Sequence, residues 1–147
     1  MKMRHLQNEA ETLALGRELA GKLAPGDVIA LRGGLGVGKT TLVRGVIQAL
    51  IGDVEVPSPT YTLVQTYDAP DFEIWHCDLY RLESPDDILE LGLLDAMEDC
   101  AVFIEWPEQM GHYLPDRHRS IEIMIAETGR DIQLLGWQTD RKNNDRP

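Results

Sequence analysis

Residues 33–41 read GGLGVGKTT, directly after the apolar run Val28-Ile29-Ala30-Leu31. Gly33, Gly38, Lys39 and Thr40 meet the pattern GxxxxGK[ST], the sequence form of a loop that wraps phosphates. A triphosphate carries several negative charges, so a loop enclosing it must turn successive backbone N–H groups inward, into conformations that a Cβ obstructs. Gly33, Gly36 and Gly38 relieve that obstruction, with Gly34, Leu35 and Val37 between them. A helix starting near Lys39 aims its positive dipole end at the same oxygens. Lys39 adds a charge for the outer phosphates, and Thr40, followed by Thr41, offers a hydroxyl to Mg²⁺. A strand before and a helix after separate such a loop from an ordinary glycine-rich turn.

Binding a nucleotide is not yet hydrolysing it. Hydrolysis needs a second metal ligand and a water held in line with the γ-phosphate. Asp78 follows Phe72 to Cys77 and Glu105 follows Ala101 to Ile104, so each ends an expected strand, at the edge where ligands gather in open α/β sheets. Glu105 is assigned to the metal shell, directly or through water, and Asp78 to orienting the metal or the attacking water. The two roles are interchangeable at this level, and either carboxylate could simply end its strand in solvent. His76 and Asp78 stand two apart on one strand, a spacing that alternation explains more readily than a zinc site. Trp75, Trp106 and Trp137 read as core or rim packing, with Trp106 left open because it follows Glu105.

The elements that must hold these groups are visible in pattern. Residues 8–23 carry helical apolar spacing stopped by Pro25-Gly26, so an amphipathic helix is expected to open the chain. Asp27 to Arg32 reads as a strand and Thr40 to Ile51 as the helix of a β-loop-α unit. The prolines at 57 and 59 forbid regular structure there. Thr62 to Tyr67 and Glu73 to Leu79 read as strands. Ser84-Pro85-Asp86-Asp87 is a helix start with a capping box, running to about Leu91. Cys100 to Glu105 matches a strand buried on both faces, and residues 120–126 and 131–138 flank Thr128-Gly129 as a hairpin.

The expected architecture is α/β and P-loop NTPase-like: a mainly parallel central sheet with helices on both faces and an antiparallel C-terminal hairpin. At 147 residues and 43% hydrophobic, the chain suits one ATPase domain over 1–140 with a disordered tail over 141–147. It holds no apolar stretch long enough for a bilayer and no apolar centre of a secretion signal near its start, which points to the cytoplasm and to no membrane association. Cys77 and Cys100 have no paired spacing and read as small buried residues. The net charge of −11 is uneven: between Asp68 and Glu108 stand 13 acidic residues and one basic residue, Arg81. That is the reverse of a nucleic-acid footprint, so direct RNA binding is not expected. The acidic stretch is either a solvated surface or a docking face for a basic partner.

In this order and spacing, GGLGVGKTT at 33–41, SPTYTLV at 58–64, HCDLYRL at 76–82 and IEWPE at 104–108 resemble the bacterial TsaE (YjeE) family. The likeness runs from about Asn8 to Gln138. It implies a small ATPase, using ATP and Mg²⁺, required for making threonylcarbamoyladenosine next to the anticodon of tRNAs that read codons beginning with A. It implies association with a TsaB–TsaD complex whose multiple turnover ATP hydrolysis supports. A separate TsaC-type enzyme would supply threonylcarbamoyl-adenylate, and tRNA would be reached only through the complex. Residue by residue, the resemblance puts phosphates on Gly33 to Thr40 and Mg²⁺ on Thr40 and Glu105. It makes Ser58 to Thr62 a switch-like loop near the γ-phosphate with Asp78 and Trp106 close by, and lets Thr12, Glu108 and Arg130 touch the nucleotide from outside the loop. Gly34 departs from the family, which often carries an acid there, leaving the hydrolysis rate open. Cys77 replaces a usual aromatic residue, a packing change.

Two other readings share the loop. A small-molecule or nucleoside kinase needs an acceptor pocket and a lid with arginines, for which the chain has little room, and a phosphorylated product would reveal it. A non-hydrolytic interaction switch would bind its partner according to nucleotide and keep its function when hydrolysis is lost. ATP is favoured over GTP because no NKxD-type guanine-reading element occurs.

Overall fold

In the computed structural model, which describes residues 2–34, 36–59 and 62–137, seven strands form one sheet in the order β1-β7-β6-β2-β5-β4-β3. The strands are β1 (Lys2–Leu6), β2 (Val28–Arg32), β3 (Val64–Asp68), β4 (Glu73–Asp78), β5 (Ala101–Glu105), β6 (Arg119–Ile125) and β7 (Arg130–Leu135). The four central strands, β6, β2, β5 and β4, run parallel. Antiparallel strands extend both margins: β7 and then β1 beyond β6, and β3 beyond β4. This is the expected mixed α/β sheet with a parallel centre.

Alternation along β5 divides the core in two. Ala101 and Phe103 pack with α1 (Glu9–Ala20) and α2 (Lys39–Ile51) through Leu15, Leu19, Leu42 and Val46. Val102 and Ile104 face the other way, against Ile88, Leu93, Met97 and Met110. All five residues of β5 are buried, as a parallel strand covered on both faces must be. Each fully buried Leu, Ile or Phe contributes about 1.5–3 kcal/mol over an exposed one. α1 and α2 meet backbone to backbone: a Cβ on Gly16 would lie 2.5 Å from the Leu42 carbonyl oxygen, and one on Gly45 would lie 2.4 Å from that of Leu13.

The opposite layer is a 3-10 turn over Pro85–Leu91, α3 (Leu93–Asp99) and a second 3-10 segment over Pro107–Tyr113. The predicted capping box is present: Asp86 N–H donates to Ser84 Oγ at 3.3 Å and Ser84 N–H to Asp87 Oδ2 at 3.2 Å. Gly92, at φ 78, breaks the run and starts α3, which the sequence pattern does not announce. Glu83, Asp86, Glu90, Asp95, Glu98 and Asp99 are exposed on this layer, so it carries much of the negative charge.

One expectation is overturned at the start of the chain. A strand, β1, precedes the helix; it is polar and sits at a sheet margin, where, among its described side chains, only Leu6 enters the core. Its partners hold it instead: β7 through the backbone, Glu18 through Arg4, and Asp131 through His5 at 2.8 Å. The helix then begins after Asn8, whose Oδ1 accepts Glu11 N–H at 3.0 Å, and ends at Ala20, short of Pro25. Cys77 and Cys100 are buried and unbridged. Burial pushes both thiols up, that of Cys100 to about 11 with help from Asp99 and Glu73. The hairpin closes where Ala126 N–H donates to Gly129 O at 3.3 Å. Residues 138–147, including the expected tail and Gln138, lie outside the described residues.

Candidate active site at the C-terminal edge of the sheet

Strand register makes the site. Leu31 of β2 and Asp78 of β4 both stand level with Glu105 of β5. Three neighbouring parallel strands therefore end together, and the chain after β2 turns straight into the glycine loop. Gly36 at φ 75 and Gly38 at φ 113 hold left-handed backbone with open space where a Cβ would be. That is the cradle a wrapped phosphate requires. Gly33, at φ 144, has a second reason to be glycine: a Cβ there would lie 2.7 Å from the Ile123 carbonyl oxygen of β6. Gly34 has neither constraint, with no positive φ and nothing within 4 Å of a built Cβ. Leu35 lies outside the described residues.

α2 starts at Lys39 with Gly38 as its cap and, among the described residues, no side-chain capping hydrogen bond, which leaves its N-terminal amides to the loop. Lys39 is 5% exposed; its Nζ donates to the Gly33 carbonyl oxygen at 2.9 Å, lies 3.8 Å from Glu105 Oε1 and sits 4.3 Å from the centroid of the Trp106 ring. Burial pushes the ammonium down from its ordinary value, against the opposing pull of the Glu105, Asp78 and Glu108 carboxylates. Thr40 Oγ1 lies 3.5 Å from Glu105 Oε2, within donating reach. Among the described residues no three His, Cys, Asp or Glu side chains are arranged to hold a metal ion by themselves. The protein donors for a cation here are thus a hydroxyl and a carboxylate, hard oxygens suited to Mg²⁺, which keeps several waters or phosphate oxygens. The loop and this donor pair fit a magnesium nucleotide.

Two clefts meet at the loop. One, of about 320 Å³, is lined by Gly36, Gly38, Lys39, Thr40, Thr41, Ser58, Asp78 and Glu105. The other, of about 290 Å³, lies across the loop and includes Thr12, Val37, Thr41 and Arg130. Thr12 is buried on α1, and Arg130 donates from Nε to the Val37 carbonyl oxygen at 2.9 Å. Thr12 and Arg130 are therefore brought to the loop. Glu108 lies on neither lining; it is exposed in the segment after Trp106.

Asp78 is tied to the 57–63 loop. Its N–H donates to Leu63 O at 2.9 Å, while Leu63 N–H donates to Pro59 O at 2.8 Å. Leu63 stands at φ 67, a left-handed conformation that costs a non-glycine residue about 1–2 kcal/mol. Thr60 and Tyr61 lie outside the described residues; Ser58 reaches the cleft. Asp78 Oδ1 accepts Tyr80 N–H at 3.0 Å.

One side chain that strand alternation accounts for in the sequence stands at the centre of the site in the structure. His76 is fully buried and its Nε2 lies 2.7 Å from Glu105 Oε2. Spacing to Asp78 hinted at a shared face, but the contact depends on β4–β5 pairing, which no local pattern reveals. Trp106 also belongs to the site: it stands at φ 59, with its ring over Lys39 and 4.9 Å from that of Tyr80. Trp137 is core, beneath Arg119 at 4.6 Å.

The sheet, the strand–glycine loop–helix unit and the paired carboxylates at the strand ends define an α/β protein of the P-loop NTPase-like class. Within it, residues 6–132 match the family model described as "Threonylcarbamoyl adenosine biosynthesis protein TsaE", and the chain belongs to that family. The tRNA threonylcarbamoyladenosine biosynthesis protein TsaE of Rickettsia bellii is 45% identical over 86% of this chain and 89% of its own. That of Haemophilus influenzae is 38% identical over 79% and 74%, and that of Mycobacterium bovis 36% over 86% and 82%. The crystal structure of Bacillus subtilis YdiB shares the fold, at a TM-score of 0.76 and 24% identity over 97% of this chain and 89% of that one.

Proposed function

We propose that the protein binds ATP with Mg²⁺ and hydrolyses it as the ATPase subunit of tRNA threonylcarbamoyladenosine formation, in association with a TsaB–TsaD complex. The observation that carries this reading is the Thr40 hydroxyl within 3.5 Å of the Glu105 carboxylate, beside a glycine loop in phosphate-wrapping conformation. Family membership and the names of the relatives carry the pathway.

In this reading the amides of residues 36–40 hold the phosphate oxygens. Lys39 exchanges its bond to the Gly33 carbonyl for the outer phosphates. Thr40 and Glu105 would hold Mg²⁺, which when bound would supply positive charge to offset that of the phosphates. Asp78, on the same cleft, orients the attacking water. Thr12 and Arg130 line the side where the rest of the nucleotide extends, and Glu108 acts on the site through its charge. Among the described residues, Lys39 is the one cation on the lining of the 320 Å³ cleft. A partner that supplies a positive group would accelerate transfer, so activity alone is weak. The chain works in the cytoplasm, meets tRNA through the complex, and shares the pathway with a TsaC-type enzyme; none of the described helices is long and apolar enough to cross a membrane.

Co-purification with TsaB and TsaD, with and without ATP, and hydrolysis measured alone and in the mixture test the proposal. Nucleotide-dependent association and a rate that rises in the mixture are expected. A rate unchanged by TsaB–TsaD would overturn the partner-dependent ATPase reading.

A further inference from the structure

The geometry points to His76 as the positioning residue that aims the Glu105 carboxylate and so sets the site's affinity for its divalent cation. The inference rests on the reading of Glu105 as a metal-shell ligand. His76 is fully buried on β4, and its Nε2 lies 2.7 Å from Glu105 Oε2. An ionised carboxylate only accepts, so the contact requires the hydrogen on Nε2. Nδ1, at the other end of the ring, is buried and has no hydrogen-bond partner among the described residues. A position inside the sheet, between antiparallel β3 and parallel β5, would be filled better by an apolar side chain if packing were the whole demand. Among the described residues, the imidazole's one hydrogen bond goes to Glu105.

That contact has a directional consequence. Oε2 takes the His76 hydrogen bond and lies 3.5 Å from Thr40 Oγ1, while Oε1 faces Lys39 Nζ at 3.8 Å. With His76 on one side and Lys39 on the other, the carboxylate plane is fixed and its Thr40-facing side is presented as a preset cation donor. Without His76, Glu105 is free to rotate toward Lys39, and the cation must then bind against that ion pair. Groups outside the ligand shell that hold a ligand in this way change metal affinity by about 10–100-fold when removed.

The test is calorimetric titration of a nonhydrolysable ATP analogue, with Mg²⁺ and with EDTA, into the full chain and its variants. For His76→Leu, affinity for the analogue in EDTA is expected to stay within about twofold. The added affinity conferred by Mg²⁺ should fall about 10–100-fold. His76→Gln, which keeps an N–H near the Nε2 position, should recover most of the loss, and the shorter His76→Asn should not. Should His76→Leu fail to fold, the Gln and Asn variants provide the comparison. Equal Mg²⁺ dependence in all folded variants overturns the inference, as does a loss of the same size in EDTA, which would mark a purely structural role. An unaltered chain that binds the analogue identically with Mg²⁺ and with EDTA overturns instead the metal-site reading on which it rests.

Discussion

The two halves of the site are built by different means. The half proposed to hold phosphate is one continuous stretch of sequence, residues 33–41, shaped by glycine conformations and by the start of α2. The carboxylate half is gathered from separate places: Asp78 and His76 on β4, Glu105 on β5 and Trp106 just beyond it, made adjacent only by strand register. Local chemistry fixes the first, and tertiary pairing fixes the second. The phosphate half should therefore govern whether nucleotide binds, and the carboxylate half what happens to it afterwards.

Lys39→Ala is the strongest way to break that division. It should reduce hydrolysis about 10²–10³-fold and also weaken nucleotide binding, since Lys39 is the charged member of the loop; steady-state kinetics and calorimetry read both. Glu105→Gln should lower Mg²⁺-dependent hydrolysis about 100-fold yet leave binding in EDTA within about twofold. Equal losses in both measurements would erase the distinction between the halves. Asp78→Asn sharpens it further: hydrolysis should fall with little change in Mg²⁺ affinity, whereas a drop in Mg²⁺ affinity matching that of Glu105→Gln would exchange the two roles. Away from the chemistry, Gly45→Ala forces a Cβ to within 2.4 Å of the Leu13 carbonyl oxygen. Such overpacking costs about 1–3 kcal/mol, a fall of several degrees in melting temperature by calorimetry for a chain of this size. The smallest effect belongs to Gly34→Asp, which enters open space with no positive φ to relieve. Stability should change by less than about 0.5 kcal/mol, so any shift in hydrolysis rate reports on the added acid alone.

The same division explains what the sequence made legible. β2, the loop and α2 announce themselves because each rests on neighbouring residues: an apolar run, glycines at set spacing, a helical stripe. Asp78 and Glu105 were readable as strand-ending carboxylates, and register places them side by side. His76 reads as strand alternation beside Asp78, and its contact with Glu105 is not legible because that partner lies 29 residues away in the chain. β1 was missed because a marginal strand with one core residue has no apolar alternation to show; its stabilising contacts are to β7, Glu18 and Asp131. α3 was hidden by Gly92, which divides a leucine-rich run into two short pieces, neither long enough to declare a period.

The tight crossing of α1 and α2 bears on how this site could open and close. With Gly16 and Gly45 seating one backbone against the other, Thr12 and the first turn of α2 ride on a single stiff unit. Sliding one helix along the other would drive main-chain atoms together. Any adjustment of the 320 Å³ cleft to the nucleotide proposed for it would fall to the other wall, lined by Ser58 and Asp78, where the Asp78 amide donates to the Leu63 carbonyl.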